Sequence, residues 1–212
     1  MEALYGYLIK NYKENEPIFL AELQIEGMSS SNLRQQLKKL ADSGTLKRFD
    51  NGIYFLPKKT IFQSGSQLTP EKVLECKYLK DCEKRCGYVS GLMFFNQMGL
   101  TSQVPMLYEV VSNKATTEYR ETSLAKLKVI IRKPKVPVTE SNYQILQFLD
   151  LLKDVDCYSE VTGKALQDRL FQYMRSINLR FSQMEPYFIY YPDKLYKNLV
   201  ETKVIYYDVL TQ

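Results

Sequence analysis

Ser29-Ser30-Ser31-Asn32-Leu33-Arg34-Gln35-Gln36-Leu37-Lys38-Lys39-Leu40, followed after Gly44 by Leu46-Lys47-Arg48-Phe49-Asp50-Asn51-Gly52-Ile53-Tyr54-Phe55-Leu56-Pro57-Lys58-Lys59, is the stretch that decides the fold. Leu33, Leu37 and Leu40 recur at i, i+4 and i+7, which places them on one face of a helix. At about 100° per residue, Ser31, Gln35 and Lys38 fall opposite that face, with Arg34 and Lys39 on its flanks. The serines offer hydroxyls to the orphan N–H groups of the first turn. Gly44 supplies a stop at C′. Two apolar runs, Leu46 to Phe49 and Ile53 to Leu56, then flank Asp50-Asn51-Gly52. Asn-Gly is the strongest short hairpin signal, and it predicts a type I′ turn with φ > 0 at both central residues. A leucine-backed helix with a polar, basic front, followed by a basic hairpin, has the layout of a recognition helix and its wing.

Upstream, Leu4, Leu8 and Tyr12 make a stripe that predicts a helix from about Glu2 to Lys13. Pro17 reads as a first-turn proline, so a short helix is expected over Ile18 to Leu23, with Gln24 to Met28 as the turn. Helix, short helix, turn, helix and wing within sixty residues predict a winged helix-turn-helix, residues 1–60. Charge follows the same division. Before Met28, Lys10 and Lys13 face Glu2, Glu14, Glu16, Glu22 and Glu26; from there to Thr60, Arg34, Lys38, Lys39, Lys47, Arg48, Lys58 and Lys59 face only Asp42 and Asp50. Positive charge is therefore concentrated on the expected helix and wing, where phosphates would need it. Ser31, Asn32, Arg34, Gln35, Lys38 and Lys39 are the expected base and phosphate contacts, with Lys47, Arg48 and Asn51 on the wing. The alternative is a helical module whose basic face is only solvated, or one that binds protein.

Thr60 to Thr69 is uncharged, carries Ser and Gly, and reads as a connector. Beyond it an α+β domain is expected over residues 67–212, so the fold class is α+β: a winged helix followed by a larger α+β domain. Thr69 and Pro70 should cap and start a helix running to about Lys84. Leu92, Phe94, Phe95 and Met98 suggest a buried helix ended by Gly99. Strands are expected at Met106 to Val111 and Lys126 to Lys133, closed by Pro134 and Pro137. A helix of about twelve residues through Tyr143, Leu146, Leu149 and Leu152 should end at Asp154-Val155-Asp156; further helices are expected at Lys164 to Asn178 and after Pro192-Asp193. Val204 to Tyr207 reads as either helix or strand.

The 212 residues carry a net charge of +5, with 45% hydrophobic and 25% charged side chains, ordinary for a globular chain. No run of about 18 uncharged apolar residues predicts a membrane span. Met1 to Gly6 lacks a secretory pattern, which argues for the cytoplasm. There is no histidine, which removes the usual base of Ser-His-Asp and Cys-His catalysis. Cys76, Cys82 and Cys86, spaced C-x₅-C-x₃-C, with Cys157 remote, do not match zinc knuckles, so neither metal nor cofactor is expected. Gly87, Gly91 and Gly99 match no phosphate loop. Glu109, Glu118 and Glu121 with Lys126 are the residues an enzyme would use, but they form no paired-carboxylate motif, and no enzyme is expected. Lys126, Lys128, Arg132, Lys133 and Lys135 form a basic run without acidic neighbours. It is either a solvated strand face or a second surface for DNA or an acidic partner.

Gly87-Tyr88-Val89-Ser90-Gly91 followed by Asn96-Gln97-Met98-Gly99-Leu100-Thr101-Ser102-Gln103-Val104-Pro105, after a hairpin ending in Gly52-Ile53-Tyr54, resembles the bacterial AbiEi-like antitoxins of type IV toxin–antitoxin systems. Asn113 to Thr117 and Lys133-Pro134-Lys135 fit the same pattern. The resemblance implies an autorepressor whose first domain binds double-stranded operator DNA. It also implies a second domain that counteracts a nucleotidyltransferase-like toxin in abortive infection. On it, Gly87, Tyr88, Ser90, Gly91, Asn96, Gln97, Gly99, Thr101, Gln103 and Pro105 mark the effector domain. Read from the residues alone, the glycines serve turns and close packing, and Gln97 and Gln103 satisfy backbone groups. An orphan regulator or protein-interaction module without antitoxin activity is the alternative.

Overall fold

The structure, a computed structural model, describes residues 2–58, 66–81, 84–125 and 127–210. The fold is α+β, and the chain divides into two compact units. The first comprises Met1–Cys76 with Leu124–Lys126, and the second Lys77–Ser123 with Leu127–Gln212.

In the first unit, α1 (Glu2–Asn11) and α2 (Ser30–Asp42) accompany a three-stranded antiparallel sheet of order β1-β3-β2. Its strands are β1 (Ile18–Phe19), β2 (Lys47–Asp50) and β3 (Ile53–Phe55). Leu4, Leu8, Ile18, Leu33, Leu37, Leu40, Leu46 and Tyr54 form the core. The short helix expected at Ile18 to Leu23 is absent. Ile18 and Phe19 instead pair with Tyr54 and Ile53. Both side chains are buried, and a β-branched residue beside an aromatic suits a paired strand. The Glu22 and Leu23 N–H groups close only two successive i→i+3 turns, onto Phe19 and Leu20.

The described end of the expected connector is held in place. Ser66 Oγ donates to Asn15 Oδ1 at 2.5 Å and accepts from the Lys58 N–H at 2.8 Å. Thr69 Oγ1 accepts from the Lys72 N–H and caps α3 (Pro70–Leu74), as Thr-Pro predicted. Residues 59–65, the larger part of that connector, lie outside the described residues. The division between the two compact units falls at Cys76. The helix does not reach Lys84: it passes into a π-helical turn, Glu75–Leu79, and then β4 (Lys80–Asp81) pairs with β5 (Lys84–Arg85).

The second unit has a four-stranded sheet of order β6-β7-β9-β8: β6 (Gly87–Ser90), β7 (Leu107–Ser112), β8 (Tyr119–Leu124) and β9 (Leu127–Arg132). β7 is antiparallel to β6 and parallel to β9. Gly87 to Ser90 is thus a strand leading into α4 (Gly91–Gln97). The helical core comes from α4, α5 (Tyr143–Tyr158), α6 (Gly163–Ser176), α7 (Phe181–Met184), a 3-10 turn Glu185–Tyr190, α8 (Lys194–Glu201) and α9 (Tyr207–Leu210). Phe95, Phe148, Leu149, Leu170, Met174 and Leu195 are at its centre. α5 does not stop at Asp154-Val155-Asp156. Val155 is buried in the core, and Lys194 Nζ neutralises Asp156 at 2.9 Å, which offsets the small propensity cost of an aspartate within a helix. Val204–Tyr206 resolves as a 3-10 turn leading into α9.

Candidate nucleic-acid interface and a second polar centre

α2 presents two faces. Leu33, Leu37 and Leu40 are buried, while Ser31, Asn32, Arg34, Gln35, Lys38 and Lys39 are exposed. Ser29 is the N-cap, and its Oγ accepts from the Asn32 N–H at 3.3 Å. Asn32 Oδ1 accepts from Gln36 Nε2 at 3.0 Å, which sets the Asn32 side chain along the first turn. Ser43 is the C-cap and Gly44 follows in left-handed backbone, as expected. Among the described residues, Arg34, Lys38 and Lys39 have no carboxylate partner, so three exposed cations stand on α2.

The hairpin forms, but its turn is not type I′. Only Gly52 has positive φ, +72°; Asn51 does not. Phe49 is an extra residue between the Arg48–Tyr54 and Asp50–Ile53 pairs, a bulge that lets a turn with one left-handed residue close the hairpin. Asp50 Oδ1 accepts from the Asn51 N–H at 2.7 Å, and its Oδ2 accepts from the Ala125 N–H at 2.8 Å. The hairpin cations are engaged within the unit. Arg48 donates to Asn51 Oδ1 at 2.8 Å and to the Asp50 carbonyl at 3.3 Å. Lys47 Nζ donates to the Ser66 carbonyl at 3.3 Å. Arg48 and Asn51 remain exposed, and Lys47 is half-buried.

In the second unit the Gly-Tyr-Val-Ser-Gly block builds a polar centre around Asp150, a residue not anticipated from sequence. Tyr88 donates its hydroxyl to Asp150 Oδ2 at 3.0 Å, and Ser90 does so at 3.4 Å. Lys153 Nζ lies 3.6 Å from Asp150 Oδ1. Burial, reinforced by the Asp150 charge, pushes the Tyr88 and Tyr191 phenols well above their usual range, so both stay neutral donors. Gly87 is buried where a Cβ would lie 2.6 Å from the Val111 carbonyl oxygen. Gly91 has φ +61°, and a Cβ there would lie 2.7 Å from Glu109 Oε2. Glu109 is in turn ion-paired with Arg132.

The second half of the block is tied to another residue remote in sequence. Glu160 accepts from Thr101 Oγ1 at 2.7 Å, from the Ser102 N–H and Oγ at 2.8 Å each, and from Gln103 Nε2 at 3.4 Å. These donors, the Ser102 amide foremost, hold its carboxyl at about 2, well below the usual 4.5. Asn96 Nδ2 bridges the Thr101 and Gln103 carbonyls at 3.3 and 3.0 Å. Asn96, Thr101 and Gln103 therefore shape a loop. Gln97 and Gly99 are exposed and Pro105 half-buried. In the basic run, Lys128, Lys133 and Lys135 are exposed and Arg132 is partly covered; Lys126 lies outside the described residues. The carboxylates an enzyme would have used are dispersed: Glu109 pairs with Arg132 and Glu121 accepts from the Tyr119 hydroxyl. Among the described residues no group of His, Cys, Asp or Glu is arranged to hold a metal ion, and no helix is long and apolar enough to cross a membrane.

The molecule is thus an α+β protein with a helix–strand–helix–hairpin unit and a separate sheet-and-helix unit. A family of unknown function, DUF6088, matches residues 7–160, and the chain belongs to it. No curated protein matches the chain.

Proposed function

We propose that the chain is a DNA-binding transcriptional regulator whose first unit is a winged helix. The observation that carries this reading is the α2 surface: Arg34, Gln35, Lys38 and Lys39 exposed and without carboxylate partners, backed by three buried leucines. A helix of that width and charge enters a major groove, with Ser31 and Asn32 at its N-terminal end near phosphate or base edges. The sheet that carries the wing braces the helix from behind through Leu46 and Tyr54, which share its core. What replaces a second helix is the Ile18–Phe19 strand and the turns after it, so support for α2 comes from sheet and α1.

The resemblance extends the proposal to an autorepressor of its own operon, acting in the cytoplasm, and to an antitoxin against a nucleotidyltransferase-like toxin encoded beside it. The inward-facing roles of Tyr88, Ser90, Asn96 and Thr101 favour a scaffold for the second unit over a toxin-contacting surface. A gel-shift with the full chain on the DNA upstream of its own gene tests the first claim. Binding that competitor DNA of random sequence abolishes equally well would remove the regulator reading. Co-expression with the neighbouring gene product tests the second.

A further inference from the structure

A cavity of about 230 Å³ opens in the second unit beside the Asp150 centre. Its composition is uneven. Tyr88, Tyr190 and Tyr191 line it with Pro134 and Pro192, giving flat, weakly polar walls. Four cations, Arg132, Lys133, Lys135 and Lys153, share it with only two acids, Glu118 and Asp150. The cations differ in availability. Arg132 is committed to Glu109, and Lys153 lies between Asp150 and Asp154. Among the described residues, Lys133 and Lys135 have no carboxylate partner and are exposed. Asp150 contributes the opposite character. Oδ2 takes the Tyr88 and Ser90 hydroxyls, and a carboxylate has about four lone-pair sites, so Oδ1 retains capacity to accept.

The geometry points to a binding site for a nucleoside monophosphate, with its phosphate at Lys133 and Lys135, its base against the tyrosines and an amino or ring N–H group toward Asp150. Aromatic faces stack bases of any kind, and paired ammonium groups hold a phosphate. The volume is small for a ligand cleft, which excludes dinucleotide cofactors. This reading does not rest on DNA binding by α2, since every residue it uses lies in the second unit.

The test titrates the full-length protein with AMP, CMP, GMP and UMP, the matching nucleosides and inorganic phosphate, by calorimetry and tyrosine fluorescence. At least one monophosphate should bind, and its nucleoside should bind about tenfold more weakly or worse. The double variant Lys133→Ala, Lys135→Ala should weaken the monophosphate about tenfold and leave circular dichroism unchanged, because both side chains are exposed. Asp150→Asn should change the ranking among the four bases. Arg34→Ala with Lys38→Ala should leave monophosphate binding intact, which separates this site from any adventitious contact with the basic face of α2. No binding at millimolar concentrations overturns the proposal. So does inorganic phosphate binding as tightly as every monophosphate, or binding unaffected by the lysine double variant.

Discussion

Arg34 and Lys38 carry the single-residue test of the proposed DNA surface, each exposed on α2 without a carboxylate partner among the described residues. Replacing either by alanine should weaken specific DNA binding by about 1–3 kcal/mol and leave the melting temperature near that of the parent. Fluorescence anisotropy with the upstream DNA would show both. Gln35→Ala should change sequence preference more than affinity, since a neutral amide reads base edges and adds no counterion release. Parent-like binding by all three variants would assign α2 another role. Glu160 makes a different kind of prediction. Its folded pKa of about 2 lies below the ordinary 4.5, so its hold on the Thr101–Gln103 loop is fully present above about pH 4.5 and fades as pH falls toward 2. The sign follows from protonation, which removes the acceptor that Ser102 and Thr101 address. A carboxyl carbon titration by NMR should find the midpoint near 2. Glu160→Gln should speed hydrogen exchange at the Ser102 amide at neutral pH.

At the level of elements, α2 and the hairpin fail in separate ways. Leu37 is fully buried beneath α2, and Leu37→Ala should cost about 2–5 kcal/mol of stability, seen as a lower urea midpoint with unchanged slope. Gly52→Val should act on the wing through its backbone. A Cβ at Gly52 would meet only Leu20 Cβ at 3.8 Å, an ordinary contact, so the penalty of about 1–3 kcal/mol comes from holding a β-branched residue at φ +72°. Gly52→Asn should cost less, because asparagine tolerates that region. The two wing cations should differ in their effect on DNA affinity. Arg48 is exposed beside Asn51, and Arg48→Ala should lower the slope of log K against log salt by about 1. Lys47 is half-buried and donates to the Ser66 carbonyl, so Lys47→Ala should change that slope less.

Across the whole molecule, the two units invite a test of divided labour. The proposed DNA surface lies wholly in the first unit, and the Asp150 centre and Glu160 clamp lie wholly in the second. Alanine at Arg34 and Lys38 in the full chain should therefore abolish repression of a reporter while leaving rescue from the neighbouring gene product intact. The experiment is best done with the intact chain, because residues Leu124–Lys126 group with the first unit and a cut near Gln67 would divide that unit. Loss of both activities in the α2 double variant would mean that rescue depends on DNA binding, and the chain would then be a regulator alone.

What could be read directly from residue order was whatever depends on near neighbours. The period of Leu33, Leu37 and Leu40, a serine cap before them, the Thr69 cap, the Gly44 stop and the hairpin at Asn51-Gly52 involve contacts a few residues apart, and all are present. The helix α4 and its end at Gly99 were legible for the same reason. Errors arose where a remote partner decides. Ile18–Phe19 is a strand only because β3 lies beside it. A strand's hydrogen bonds go to another segment, so a short apolar run carries too little local information to distinguish it from a helix. The type I′ turn was lost to the bulge at Phe49, a feature of register between two strands. The same reason explains the residues missed in the second unit. Asp150 and Glu160 gain their roles from Tyr88, Ser90, Thr101 and Ser102 across some sixty positions of chain, and only tertiary packing brings those carboxylates to their donors.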